Sequence, residues 1–316
     1  MAPLSLRPAR PEDGAGVSAL FTAVHKRPLP EPLRRWRYDG KADAPSINTV
    51  ALDGDRVVAH LGALRVELET PAGRRAAGLW ADLMVHPEHR GLPLFLDMAE
   101  ANMAACAQAG LSLLYAFPND NSWPLLKRLL DWTDLGDLHA FEGGLPEPQS
   151  GGRALDGLPE AAELDAFWER VRAPGVVTLR RSGAWARWRY LDRPDSGYRS
   201  WQVRGTAGNL RGWAAAKTFA AKDSVIGDVL DLWTEDGEAE ETLLSAVLAW
   251  FAERDVTTMS AWAAPGDQQA SLWSSLALDP VGPVTHFGAR ALTPEAAAFA
   301  SDPSLWRIAK GDSDVF

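Results

Sequence analysis

Leu83-Met84-Val85-His86-Pro87-Glu88-His89-Arg90-Gly91-Leu92-Pro93-Leu94-Phe95 is the stretch on which the reading of this chain turns. An apolar run ends at His86, Pro87 opens a turn, and Arg90 and Gly91 lead into a helical pattern with Leu94, Met98, Ala101 and Ala105 on one side. A strand that passes through such a loop into a helix presents unpaired backbone N–H groups and the positive end of the helix dipole. Phosphate oxygens bind there; Gly91 lets the amides turn one way and Arg90 adds an ion pair.

Working outward, the residues before the loop predict a strand at 4–8 and a helix from 11 to 25 that opens on Pro11-Glu12-Asp13. Strands follow at 47–52 and 56–69, joined by Asp53-Gly54-Asp55, and a third at 76–86. The helix 94–109 ends at Gly110; a strand at 111–117, a helix at 122–130 and a strand at 134–142 complete the set. Gly, Pro and Ser then cluster over 143–158, which predicts a first domain over 1–145, a linker over 146–158 and a second domain over 159–316. The second half runs through a helix at 164–172, strands at 200–204, 210–219 and 225–233, a helix at 239–254, a strand at 257–262, a helix at 267–276 and a strand at 285–292. Its β-β-β-α-β-α-β tail repeats the element order of the first half, without repeating its residues, and predicts a duplicated α/β (α+β) fold.

The chain has 316 residues, one cysteine (Cys106) and a net charge of −10. A lone cysteine leaves no intrachain disulfide or Cys-based zinc site, and no apolar run reaches the ~18–20 residues that cross a bilayer. No signal-peptide pattern precedes residue 7, so a cytoplasmic location is expected. The acidic surface argues against nucleic acid and anionic membranes as partners. Residues 1–145 carry 15 basic and 18 acidic side chains against 17 and 24 in the remainder, which leans an anionic ligand toward the first half.

Here the sequence resembles the GNAT (GCN5-related N-acetyltransferase) superfamily, whose signature runs from an apolar strand through Val-x-Pro-Glu-x-Arg-Gly-x-Gly-x-Gly/Ala into a helix. Val85, Pro87, Glu88, Arg90 and Gly91 match, followed by Leu94 and the apolar helix. Phe117-Pro118-Asn119-Asp120-Asn121-Ser122, upstream of Asp131-Trp132, resembles the family's Asn-x-x-Ser segment after its fifth strand. The resemblance covers residues 4–142 and implies two tandem GNAT-like domains, each a mixed, mostly antiparallel sheet flanked by helices. It implies acetyl-CoA as co-substrate, held by Met84, Val85, Arg90, Gly91, Leu92, Pro93, Leu94, Phe95, Asn119 and Ser122, and a small-molecule or peptide-like primary amine as acceptor. A similar Trp-Arg-Tyr…Pro…Tyr string occurs in tandem GNAT proteins of bacterial origin.

Two residues depart from the signature: Pro93 stands at the second glycine and Phe95 at the third. Pro93 removes one amide from the phosphate nest, at a cost of about 1.5–3 kcal/mol for a bond to a charged group, although proline suits a first helical turn. The backbone N–H of Met84 or Val85 would polarise the thioester carbonyl. Asp82 is the expected general base, directly or through a water, the other reading of it being an exposed or salt-bridged strand carboxylate; Glu67 and Glu69 are lesser candidates. The helix 124–130 has no tyrosine, which leaves the acid role unassigned.

The second half has no equivalent loop. Its strand-to-helix junction, Leu232-Trp233-Thr234-Glu235-Asp236-Gly237-Glu238-Ala239-Glu240-Glu241, holds five carboxylates that suit the helix dipole and would repel a pyrophosphate. Trp185-Ala186-Arg187-Trp188-Arg189-Tyr190, continuing to Trp201, reads as an interdomain brace with Arg on Trp faces in preference to a base-stacking surface. His60, His86 and His89 lack metal-ligand spacing, Trp80 and Trp123 read as core ahead of an acceptor pocket, and no Gly-x-Ser-x-Gly elbow or Walker loop is present. The expected function is N-acyl transfer by the first domain; the alternative is an inactive tandem-GNAT binding or scaffold protein.

Overall fold

A computed structural model describes residues 4–41, 44–147, 152–194, 197–264 and 267–313. The chain divides into two compact units: residues up to Gly136 together with His286–Asp302, and Asp137–Thr285 together with the residues from Pro303 onward. The division differs from the one expected at 146–158, of which residues 148–151 lie outside the described residues. Hydrogen bonding accounts for the difference. Residues 288–291 of strand Asp279–Ala291 pair with Leu113–Ala116 in the first unit, and residues 139–143 of strand Thr133–Gly143 pair with Thr258–Ala263 in the second.

The first unit's sheet runs Ser5–Pro8, Ile47–Asp53, Arg56–Glu69, Arg75–Val85, Leu113–Ala116 and then 286–291. All its neighbours are antiparallel except Arg75–Val85 and Leu113–Ala116, which run parallel over Ala77↔Leu113, Gly78↔Leu114 and Leu79↔Tyr115. Side chains alternate across the strands. Val50, Leu52 and Val57 pack on helix Gly14–His25 through Val17, Leu20 and Phe21, while Ala51 and Val58 face helix Leu92–Gln108 through Leu94, Met98 and Cys106. Asn102 pins that helix to the sheet: its Nδ2 donates to Ile47 O, Thr49 Oγ1 and Leu61 O, and its Oδ1 accepts from Trp80 Nε1 at 2.7 Å. Trp80 also stacks on Trp132, and it and Trp123 are buried in the same cluster.

The second unit has the same order: Leu155–Asp156, Tyr198–Arg204, Leu210–Ala220, Val225–Thr234, Thr258–Ala263 and then 137–143. Along this run the parallel pair covers Ile226↔Thr258 to Asp228↔Ser260, and Val177 and Thr178 also pair in parallel with Trp306 and Arg307. Helix Gly237–Ala252 buries Leu243, Val247 and Phe251 against Ala214, Ala216, Val229 and Met259. The Trp-rich stretch forms helix Gly183–Tyr190 within this unit, with Trp185, Trp188 and Tyr190 buried and Arg181 over the rings of Trp185 and Trp233. The elements expected from sequence omit this helix and helix Pro294–Ala300. Among the described residues no helix is long and apolar enough to cross a membrane.

Candidate active site

Strand Arg75–Val85 carries a bulge. Its pairing with Arg56–Glu69 shifts between His60↔Met84 and Gly62↔Ala81, so Asp82 and Leu83 oppose Leu61 alone, and Asp82 takes φ +57. Aspartate tolerates this left-handed conformation better than most residues, and bulges of this kind re-aim side chains beside functional sites. The parallel pairing with Leu113–Ala116 ends at Leu79, so the following residues part from that strand. His86 N donates to Val58 O, which turns alternate amides toward strand Arg56–Glu69; the Val85 N–H in between therefore faces the parted edge. Met84, 1% exposed, faces helix Gly14–His25, and Val85 lies against the Leu94 cluster.

The turn after the strand is held by its own side chains. His86 accepts from Glu88 N at 3.4 Å and meets Arg56 Nη2 at 2.7 Å, and His89 lies 3.7 Å from Asp53. These histidines build the loop, and among the described residues no three His, Cys, Asp or Glu side chains gather as metal ligands. Arg90 is exposed and makes no ion pair or hydrogen bond among the described residues. Gly91 stands before helix Leu92–Gln108 with no side-chain cap, and the first intrahelical bond is Phe95 N to Gly91 O at 3.2 Å. The Leu92 and Leu94 amides consequently have no partner in the helix, and Pro93 between them has no N–H to offer. Gly91 is extended (φ 173), a conformation open to any residue. What glycine supplies is room: a Cβ there would meet only Pro93 Cδ, at 3.8 Å, so backbone is exposed for a close approach.

Asn119 and Ser122 form a tight turn on the far side of the parted strands. Asn119 Oδ1 accepts from Asn121 N at 3.0 Å and Ser122 N at 3.1 Å, which starts helix Trp123–Leu129 and leaves the Asn119 side-chain N–H groups facing outward on an exposed residue.

Asp82 is engaged by Arg37, whose Nε and Nη2 both reach the carboxylate, Nη2 at 3.0 Å from Oδ1. Burial alone would raise its pKa; the Arg37 charge and hydrogen bonds outweigh burial and hold it below the ordinary value. His60 places Nδ1 3.3 Å from the Asp82 carbonyl and its ring 4.6 Å from Tyr38, and burial lowers its pKa to about 4, so it is neutral at pH 7. Tyr38, 4% exposed, is pushed above the ordinary phenol value by burial and by the Asp82 charge. None of Arg37, Tyr38 and His60 is singled out as a site residue by sequence pattern, because they reach Asp82 only through the bulge. Glu67 and Glu69 lie at the other end of the strand, in register with Ala76 and beyond, with Glu67 exposed and Glu69 buried against Arg74.

The corresponding corner of the second unit is filled from within. Asp236 caps helix Gly237–Ala252, accepting from Ala239 N at 2.9 Å, and itself pairs with Arg211 at 2.6 Å.

Residues 5–129 match the family model described as acetyltransferase (GNAT) domain. Solved structures share the fold at low identity. A conserved protein from Enterococcus faecalis V583, described as a probable N-acyltransferase, superposes with a TM-score of 0.73 at 13% identity over 92% of this chain and 73% of that one. A GCN5-related N-acetyltransferase from Anabaena variabilis gives 0.71 at 12% identity with the same coverages. A tandem GNAT protein from the clavulanic acid biosynthesis pathway gives 0.58 at 14% identity over 92% of this chain and 99% of its own. No curated protein matches the chain in sequence. Residues 5–129 thus match the model of the GNAT acetyltransferase domain, and the chain shares its fold with solved structures of GNAT proteins.

Proposed function

We propose that the chain is an N-acyltransferase that moves an acetyl group from acetyl-CoA to a primary amine of a small or peptide-like acceptor, and that the first unit is the active one. The observation that carries this is the corner at residues 85–94: an amide facing a parted strand edge, two helix-start amides without partners, and a free guanidinium beside them.

Acetyl-CoA supplies the activated thioester. Arg90 and the Leu92 and Leu94 amides suit its diphosphate, with Gly91 giving the backbone room and the Asn119 amide the opposite wall. Val85 N–H is the donor placed to polarise the acyl oxygen, because its neighbour's amide is spent on strand Arg56–Glu69. Asp82 takes the proton that leaves the amine. Held low by Arg37, it is ionised throughout the neutral range and keeps a proton only briefly, which fits a relay better than a reservoir. In the second unit the helix start is already capped by Asp236, which supports a structural or substrate-side role for that half.

A second reading, a tandem-GNAT binding protein without turnover, is favoured by the amide missing at Pro93. Thiol release from acetyl-CoA over a panel of amines separates the two. The enzyme reading expects turnover that falls at least tenfold in Arg90→Ala; coenzyme binding with no release from any amine supports the binding protein.

A further inference from the structure

The chain repeats four residues: Arg35-Trp36-Arg37-Tyr38 and Arg187-Trp188-Arg189-Tyr190. Each tyrosine closes or nearly closes a short helical segment, Arg35–Asp39 in the first unit and Gly183–Tyr190 in the second, and each is buried. Each also addresses an aspartate at the same station of its sheet. The parallel pairs end at Leu79↔Tyr115 and Asp228↔Ser260, and three residues further on stand Asp82 and Asp231. Both aspartates lie at a register shift, opposite His60–Gly62 and opposite Ala215–Ala216.

What surrounds the two carboxylates differs. In the second unit Tyr190 Oη donates to Asp231 Oδ2, while Arg181 at 2.7 Å and Trp233 Nε1 at 2.9 Å hold Oδ1. Gly311 seals the site, since a Cβ there would come within 2.4 Å of Asp231 Oδ2 and 2.5 Å of Tyr190 Oη. In the first unit Arg37 takes both carboxylate oxygens, and Tyr38 Oη, near enough for the Asp82 charge to act on it, completes no hydrogen bond of ordinary geometry with any described residue. A buried phenol left idle calls for a partner from outside the fold. The cluster reaches solvent through the side chains of Arg37 and Asp82, 20% and 12% exposed.

We propose that Tyr38 is the acceptor-binding catalytic residue of the first unit: its Oη receives an N–H of the incoming primary amine and donates its own proton to Asp82, as Tyr190 does to Asp231. This rests on the acyltransferase reading. The amine nitrogen forms the bond to the acyl carbon and the carbon–sulfur bond breaks, with sulfur leaving as thiolate. The surplus proton on nitrogen passes to Tyr38 Oη as the phenolic proton passes to Asp82, which leaves Tyr38 protonated as before, and the Asp82 carboxyl then releases one proton to solvent through its exposed edge, restoring the carboxylate. With Arg37 neutralised by Asp82 and His60 uncharged, the subsite favours the amine as its neutral base.

The test pairs Tyr38→Phe with Tyr190→Phe. Tyr38→Phe removes a hydroxyl that completes no hydrogen bond of ordinary geometry in the fold, so it melts close to wild type, coenzyme A affinity by calorimetry is unchanged, and kcat/KM for the amine falls about 100-fold. Tyr190→Phe breaks a made bond in the other unit, so it melts lower and keeps its turnover. Wild-type kcat/KM in Tyr38→Phe, or a drop in melting temperature matching that of Tyr190→Phe, overturns the assignment. Absence of thiol release from the wild-type protein is a separate result: it removes the acyltransferase reading, and this assignment with it.

Discussion

Pro93 is the second residue of helix Leu92–Gln108, between two amides that have no helical partner. Replacing it with Gly or Ala adds a third N–H to that row. A hydrogen bond to a charged phosphate contributes about 1.5–3 kcal/mol, which at 1.4 kcal/mol per decade is roughly a 10- to 100-fold gain in coenzyme affinity. Glycine gives back part of this, because a flexible first turn costs up to about 1 kcal/mol relative to alanine. Pro93→Ala is therefore expected to bind coenzyme A at least as tightly as Pro93→Gly, and both about tenfold or more tighter than wild type. Isothermal titration reads the affinity, and pantetheine, which lacks the diphosphate, serves as the control ligand with no gain. If both variants keep the wild-type affinity while melting normally, the amides at the head of this helix do not address the diphosphate, and the account of the corner fails.

Other outcomes follow from buried polar groups. His60 is neutral in the fold, with a pKa of about 4 against an ordinary 6.5. The unfolded chain therefore binds the proton more readily; the stability linked to His60 is complete above pH 6.5 and falls as pH drops toward 4, by about 3 kcal/mol in all. Thermal melts across that window are expected to show the loss in wild type and a shallower slope in His60→Gln; equal slopes refute it. Asn102→Leu strands Trp80 Nε1 and the Ile47 and Leu61 carbonyls, and about 3 kcal/mol of stability is expected to go in urea denaturation. A loss below about 1 kcal/mol would show that the core relaxes around the missing amide.

Much of the architecture is legible in the sequence because it rests on local signals. Alternation at Val50–Leu52 and Val57–Val58 marks two-faced strands, Asp53-Gly54-Asp55 marks the hairpin, and Arg90-Gly91 marks the strand-to-helix corner. Pairing partners are not local. Nothing in the composition of 143–158 reveals that strands Thr133–Gly143 and Asp279–Ala291 each cross the division, since that depends on pairings about 120 and about 175 residues apart. The Asp82 environment is hidden for a similar reason: a one-residue bulge brings Arg37, Tyr38 and His60 to it, and no spacing rule anticipates a bulge. The Arg-Trp-Arg-Tyr repeat was the available signal. It becomes informative only when both tyrosines are seen facing an aspartate.

Because residues 286–302 complete the sheet begun by residues 5–116, the first unit cannot close when a ribosome has finished residue 145. Leu113–Ala116 must wait for its neighbour until nearly the last tenth of the polypeptide has emerged, and during that interval it offers a bare edge to anything that can pair with it. A gene fragment cut at the apparent linker would inherit the same unfinished edge permanently, so the first unit is obtained by making the whole chain.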